Sequence, residues 1–209
     1  MTKKYRYIAI DGVDGSGKTT IANLLYNELS KRYNKVILVK EPYDNDLSKK
    51  IKEIISKEHE KILDYGYLLA LLFTADRSIK NIDLKKYLNT GYIVISDRSI
   101  YSTFSYQISY EGMDIEWLKC ISKYIIRPDI TFILDIDPKI AIERIASRGK
   151  SITSYENIEF LKKVRENFLK LKEIFPNDNI IYINGKEKPE KILDKILNII
   201  EKWWILIIF

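Results

Sequence analysis

Gly12-Val13-Asp14-Gly15-Ser16-Gly17-Lys18-Thr19 follows an apolar run at 5–10 and opens a helical pattern at 18–33. It is G-x-x-x-x-G-K-[ST] set between a strand and a helix, the context in which this pattern cradles phosphate. Glycine is scarce in the chain, eight residues in all, yet three fall within residues 12–17, so the clustering carries information. Gly12, Gly15 and Gly17 let the backbone curl so that several N–H groups point inward. The start of the following helix adds its own free N–H groups and positive dipole end. In such a loop the lysine, Lys18, reaches the β/γ-phosphates, and the hydroxyl of Thr19 ligates Mg²⁺. Residues 12–20, ending in Thr20, therefore imply a nucleoside-triphosphate site.

Outward from this loop, apolar segments at 5–10, 36–39, 93–96, 130–135 and 180–183 read as strands. Several are rich in Val and Ile with few charges, as expected when both faces of a sheet are covered. Amphipathic helical patterns fill the gaps, near 18–33, 46–57, 62–79, 82–89, 99–109, 114–125, 138–148, 156–175 and 189–202. Alternating strands and helices imply a three-layer α/β fold, a five-stranded parallel sheet flanked by helices. Ligands then sit at the carboxyl ends of the strands. The polar stretch at 147–156 reads as a short mobile lid, and 203–209 as an apolar tail packed on the core or on a neighbouring subunit.

The 209 residues are expected to form one domain with a substantial core. No apolar stretch reaches membrane-spanning length and no signal peptide is read, so the expectation is a cytoplasmic protein without membrane contact. The single cysteine, Cys120, excludes an internal disulfide and suits a reducing compartment. The single histidine, His59, lies in a charged stretch, which excludes a multi-histidine metal site. The net charge is +6, but the lysines are spread without one dense cluster, so nucleic acid is not the expected partner.

The informative residues follow the strands. Lys40-Glu41-Pro42 places Glu41 at the sheet edge facing the cleft. Ser96-Asp97-Arg98-Ser99 puts a carboxylate where a metal-shell Asp sits beside such a loop, with Arg98 as a planar fork for phosphate. Phe73 and Arg77 share one helix face and suit a nucleobase, one by stacking and the other by hydrogen bonding. Arg144 and Arg148, one turn apart, lead into the polar loop, and a loop carrying cations can close over a transferring phosphoryl group.

With these motifs in order, the chain resembles the thymidylate kinases, within the P-loop nucleoside monophosphate kinases. The resemblance covers roughly residues 5–200. It rests on residues 11–20, Glu41-Pro42, Leu72-Phe73-Thr74-Ala75-Asp76-Arg77, Asp97-Arg98-Ser99 with Ser102 and Tyr106-Gln107, and Leu134-Asp135-Ile136-Asp137-Pro138 with Ala141 and Arg144. It implies ATP-dependent phosphorylation of dTMP to dTDP, a Mg²⁺ cofactor and a homodimer. It also implies that Lys18 and Thr19 serve the ATP phosphates and metal, with Asp97 near the metal. Asp14 would face the deoxyribose hydroxyl, Phe73 and Arg77 the thymine, and Arg98 the monophosphate. An anionic acceptor needs a cation beyond those serving ATP, and Lys52, on the helix after Glu41-Pro42, is the candidate to help Arg98. Ser102 and Gln107 would line the acceptor base site, and Arg144 and Arg148 would flank the lid.

Some members of the family carry a catalytic arginine where this chain has Gly15; the resemblance then assigns that charge to the lid. Three departures stand out: Ser99 for the usual Tyr, Tyr43-Asp44-Asn45 for Gly-Gly-Thr, and Thr153-Ser154-Tyr155-Glu156 for Asp-Arg-x-Glu. A deoxynucleoside kinase, with Glu41 as base for a 5′-hydroxyl, is the nearest alternative, and Asp14 argues against it. A GTP-binding switch would carry Asn-Lys-x-Asp, which is absent.

Overall fold

The computed structural model describes residues 6–56, 63–147 and 157–205, the last three by backbone only. Five strands, β1 (Tyr7–Asp11), β2 (Val36–Lys40), β3 (Ile93–Asp97), β4 (Ile130–Asp135) and β5 (Ile180–Asn184), form one sheet of order β2-β3-β1-β4-β5. Every pairing is parallel. This is the α/β sheet expected of a P-loop fold. Most strands run one residue further than the hydrophobic pattern, so Asp11, Lys40, Asp97 and Asn184 end their strands inside the ladder.

The helices are α1 (Lys18–Arg32), α2 (Asp46–Ser56), α3 (Leu63–Asn89), α4 (Ile100–Gln107), α5 (Ile115–Ile121), α6 (Pro138–Ala146), α7 (Ile158–Leu169), α8 (Leu171–Ile174) and α9 (Pro189–Ile205). Strand residues alternate between two cores. Ile8, Ile10, Phe132 and Leu134 pack against Ile21 and Leu25 of α1 and Ile196 and Ile200 of α9. On the opposite face, Ile133 packs with residues of α3, α4 and α7, and Tyr7 and Val94 pack with Leu84. Both faces are covered, which is why the strands read as near-continuous apolar runs.

Two helical expectations change. The patterns at 62–79 and 82–89 are one helix, α3: no Gly or Pro interrupts it after Gly66, and the polar residues Lys80 and Asn81 at the apparent break are buried with partners. The pattern at 156–175 is two helices. The Lys170 N–H is shared between the Glu166 and Asn167 carbonyls at 3.1 and 3.2 Å, and the chain turns there. The stretch 148–156, which includes Arg148 and most of the expected lid, lies outside the described residues, as do the last four residues of the tail.

Candidate active site

The loop at 12–17 joins the central strand β1 to α1, and its backbone explains its glycines. Gly12, Gly15 and Gly17 have φ of 137°, 81° and 99°. A Cβ on Gly12 would stand 2.7 Å from the Leu134 carbonyl oxygen, and one on Gly15 would fall on the Ala141 carbonyl oxygen of α6. The tight curl leaves the N–H groups of Gly15, Gly17 and Lys18 without an acceptor among the described residues. Lys18 Nζ donates to the Val13 carbonyl at 2.8 Å and stands 3.6 Å from Asp14 Oδ1. Burial lowers its pKa to about 8, with Arg98 adding repulsion and the nearby Asp14, Asp97 and Asp11 opposing it.

Thr19 Oγ1 donates to Asp97 Oδ2 at 2.6 Å, which joins the start of α1 to the end of β3. Among the described residues no cluster of three or more His, Cys, Asp or Glu could hold a metal by itself. A hydroxyl and one carboxylate suit a Mg²⁺ that draws its other ligands from water and substrate phosphates.

Arg98 follows in a left-handed conformation, φ 78°, a strained position for a bulky residue. Its N–H donates to the Ile10 carbonyl at 3.0 Å, and its carbonyl accepts from Ser96 Oγ at 2.6 Å. These bonds turn the guanidinium towards the loop. There it pairs with Asp14 and donates to Ser102 Oγ at 3.2 Å. Burial opposes the charge of both partners, yet the pairing prevails: Asp14 is held well below the usual carboxylate range and Arg98 is raised. Ser99 caps α4, accepting the Tyr101 N–H at 3.3 Å, and donates to the buried carboxylate of Asp11 at 2.8 Å. The departure from the family's tyrosine is thus absorbed in anchoring α4 to β1.

Two cavities of about 250 Å³ each meet at the carboxyl ends of β1, β2 and β3. The polar one is lined by Gly15, Gly17, Lys18, Thr19, Thr20 and Asp97. The apolar one is lined by Lys52, Phe73 and Arg77 on one side and Ser102 and Gln107 on the other. Asp14, Glu41, Pro42 and Arg98 line both. The arrangement offers an anion cradle beside an apolar cavity. Gly12, Val13 and Ser16 shape the loop without lining the polar cavity, and Arg144 stands apart, its Nη1 donating to the Gly185 carbonyl at 3.1 Å.

Glu41 and Arg77 differ from a simple cleft-facing picture. Both are 3% exposed and paired with each other. Arg77 also donates to Thr103 Oγ1 at 3.1 Å and to the Ser99 carbonyl at 3.2 Å. The second Glu41 oxygen accepts from Lys80. Burial alone would raise the Glu41 pKa; Arg77 and Lys80 override it and hold it at about 2. Gln107 is fully buried, and neither amide atom has a partner among the described residues.

Sequence reasoning missed Lys80, Thr103 and the role of Tyr106. The Tyr106 hydroxyl donates to Asp14 Oδ2 at 2.8 Å and accepts the Asp14 N–H at 3.1 Å. Tyr106 lies within a motif already read, so its position was a usable signal. Lys80 gave none beyond sitting three residues after Arg77.

Comparison with known families matches residues 10–196 to the one described as thymidylate kinase. The chain belongs to the thymidylate kinase family. It is 39% identical over 202 residues to the probable thymidylate kinase of Thermococcus kodakarensis, covering 93% of this chain and 97% of that one. It is 39% identical over 198 residues to the probable thymidylate kinase of Methanosphaera stadtmanae, covering 94% and 98%. With that of Sulfolobus acidocaldarius the identity is 36% over 197 residues, covering 92% and 95%. Membership makes the chain a nucleoside monophosphate kinase, a phosphotransferase that uses nucleotide substrates. Among the described residues no helix is long and apolar enough to cross a membrane.

Proposed function

We propose that this kinase transfers the γ-phosphoryl group of ATP to dTMP, giving dTDP and ADP. A phosphate oxygen of dTMP bonds to the γ-phosphorus as the bond to the β,γ-bridging oxygen breaks. The observation that carries the acceptor is Gln107. A buried amide with neither atom bonded costs free energy until a ligand satisfies it. It offers an acceptor beside a donor, which complements the N3–H and 4-carbonyl of thymine. Among the described residues four of the five Arg77 N–H groups are bonded, and the one left, on Nη1, can only donate. That favours a base with a carbonyl at this edge over one with an amino group. Phe73 supplies a ring for stacking.

Arg98 and Lys52 meet the acceptor phosphate, Asp14 faces the sugar hydroxyl, and Ser102 lines the base site beside Gln107. Lys18 and the free loop N–H groups hold the ATP phosphates, with Arg144 on the nucleotide side. Thr19 and Asp97 would hold Mg²⁺, which when bound neutralises charge on the phosphates. The chain works as a cytoplasmic homodimer. A nucleoside 5′-hydroxyl is a poor acceptor here, because a carboxyl held at about 2 with both oxygens ion-paired makes a weak base. An assay of dTMP, dUMP and thymidine with ATP and Mg²⁺ tests the reading. dTMP is expected to turn over and thymidine to be inert; efficient turnover of thymidine with inert dTMP would overturn it.

A further inference from the structure

Arg77 grips Glu41 in an uneven way. Its Nε, at 2.9 Å, and its Nη2 both donate to a single oxygen, Oε2. A guanidinium facing a free carboxylate spreads its parallel N–H groups over both oxygens. Here the second oxygen is taken by Lys80 Nζ. Lys80 is 1% exposed. Its three protons have three neighbours: Glu41 Oε1, the Tyr7 hydroxyl at 3.1 Å and Ser96 Oγ at 3.4 Å. Arg77 alone would neutralise Glu41, so charge balance gives no reason for a second buried cation. The guanidinium is planar and rigid. The direction of its remaining Nη1–H is therefore set by the Glu41 oxygen that Nε and Nη2 hold, together with the bonds to Thr103 Oγ1 and the Ser99 carbonyl.

We propose that Lys80 is a positioning residue for recognition of the acceptor base. By occupying Oε1 it confines Arg77 to Oε2, and this aims the remaining Nη1–H into the apolar cavity at the 4-carbonyl of the base. The proposal rests on Arg77 as base-edge donor, as argued above. Without the ammonium, the Arg77 fork spreads over both Glu41 oxygens, the guanidinium turns in its plane, and the donor leaves the line of the carbonyl. Lys80 itself touches no substrate.

The test compares calorimetric binding of dTMP with that of its 3,4-dihydropyrimidin-2-one analogue, which lacks the 4-oxygen but keeps N3–H. Wild type is expected to prefer dTMP by about tenfold. Lys80→Met is expected to lose most of that preference by weakening dTMP alone, with the analogue bound as in wild type. Lys80→Gln, shorter and uncharged, carries the same expectation and serves if the Met variant does not fold. Equal weakening of both ligands, or an unchanged preference, overturns the proposal. Failure of both variants to fold also overturns it, since Lys80 is then a residue of the core alone. Arg77→Ala separates the two readings: if it keeps the preference, the base-edge reading of Arg77 is at fault.

Discussion

Removing Arg77 strips the apolar cavity of a donor and Glu41 of one of its two cations. Arg77→Ala is expected to raise KM for dTMP about tenfold or more and to leave KM for ATP near wild type, because the lost bond serves one substrate. Steady-state kinetics in both substrates decide it; equal effects on both would return Arg77 to a structural role. Glu41 has a pH signature. Its folded pKa of about 2 lies below its ordinary 4.5, so its ion pairs stabilise the fold above about pH 4.5. That contribution, on the order of 3 kcal/mol, is lost as pH falls from there towards 2. Glu41→Gln is expected to be less stable at pH 7 and to flatten the acid limb, read by urea unfolding at several pH values. A variant that tracks wild type throughout would remove Glu41 from that limb. Lys18→Ala is expected to keep the fold and less than about a tenth of kcat, since its charge is needed as the phosphoryl group moves. The sequence made Lys18, Asp97 and Phe73 legible because motif spacing names them. It hid Lys80, because a lysine in a helix is read as solvated unless its partner, here a glutamate 39 residues away, is known.

At the scale of elements, strand positions were legible because Val and Ile runs covered on both faces leave little ambiguity. Helix limits were not: the continuity of α3 depends on partners for Lys80 and Asn81 that only the fold supplies. The loop and α6 form the pair with most consequence for catalysis. Gly15 sits under the Ala141 carbonyl with φ 81°, so an arginine side chain at position 15 has no room. Charge that builds on the transferring group must then be met from elsewhere. Arg148, outside the described residues, follows α6 by two positions and is the proposed source. Arg148→Ala is expected to lower kcat far more than it weakens ATP binding, measured by turnover and by nucleotide titration. A normal kcat would pass the role to Lys150 or Arg144.

For the whole molecule, the strand order puts β1 between β3 and β4, and the two cavities open where the connections diverge. Alternating strands and helices announced a parallel sheet with ligands at its carboxyl ends; the strand order comes from the fold. A surface for the proposed dimer was not legible, because periodicity in α3 shows which residues could be buried but not which ones the fold leaves out. The fold leaves Leu68, Leu71, Ile79 and Ile82 at 44, 50, 41 and 60% exposed. At 3.6 residues per turn these positions share one outward side of the helix. An apolar stripe of this kind marks an association surface, and the proposed occupant is the same stripe of a second copy, the self-complementary contact of a two-fold dimer. Sedimentation at micromolar concentration is expected to give twice the chain mass for wild type. Leu71→Glu with Ile82→Glu is expected to give the single-chain mass with an unchanged circular dichroism spectrum. A monomeric wild type would refute the dimer, and a dimer that survives the double substitution would move its interface off α3.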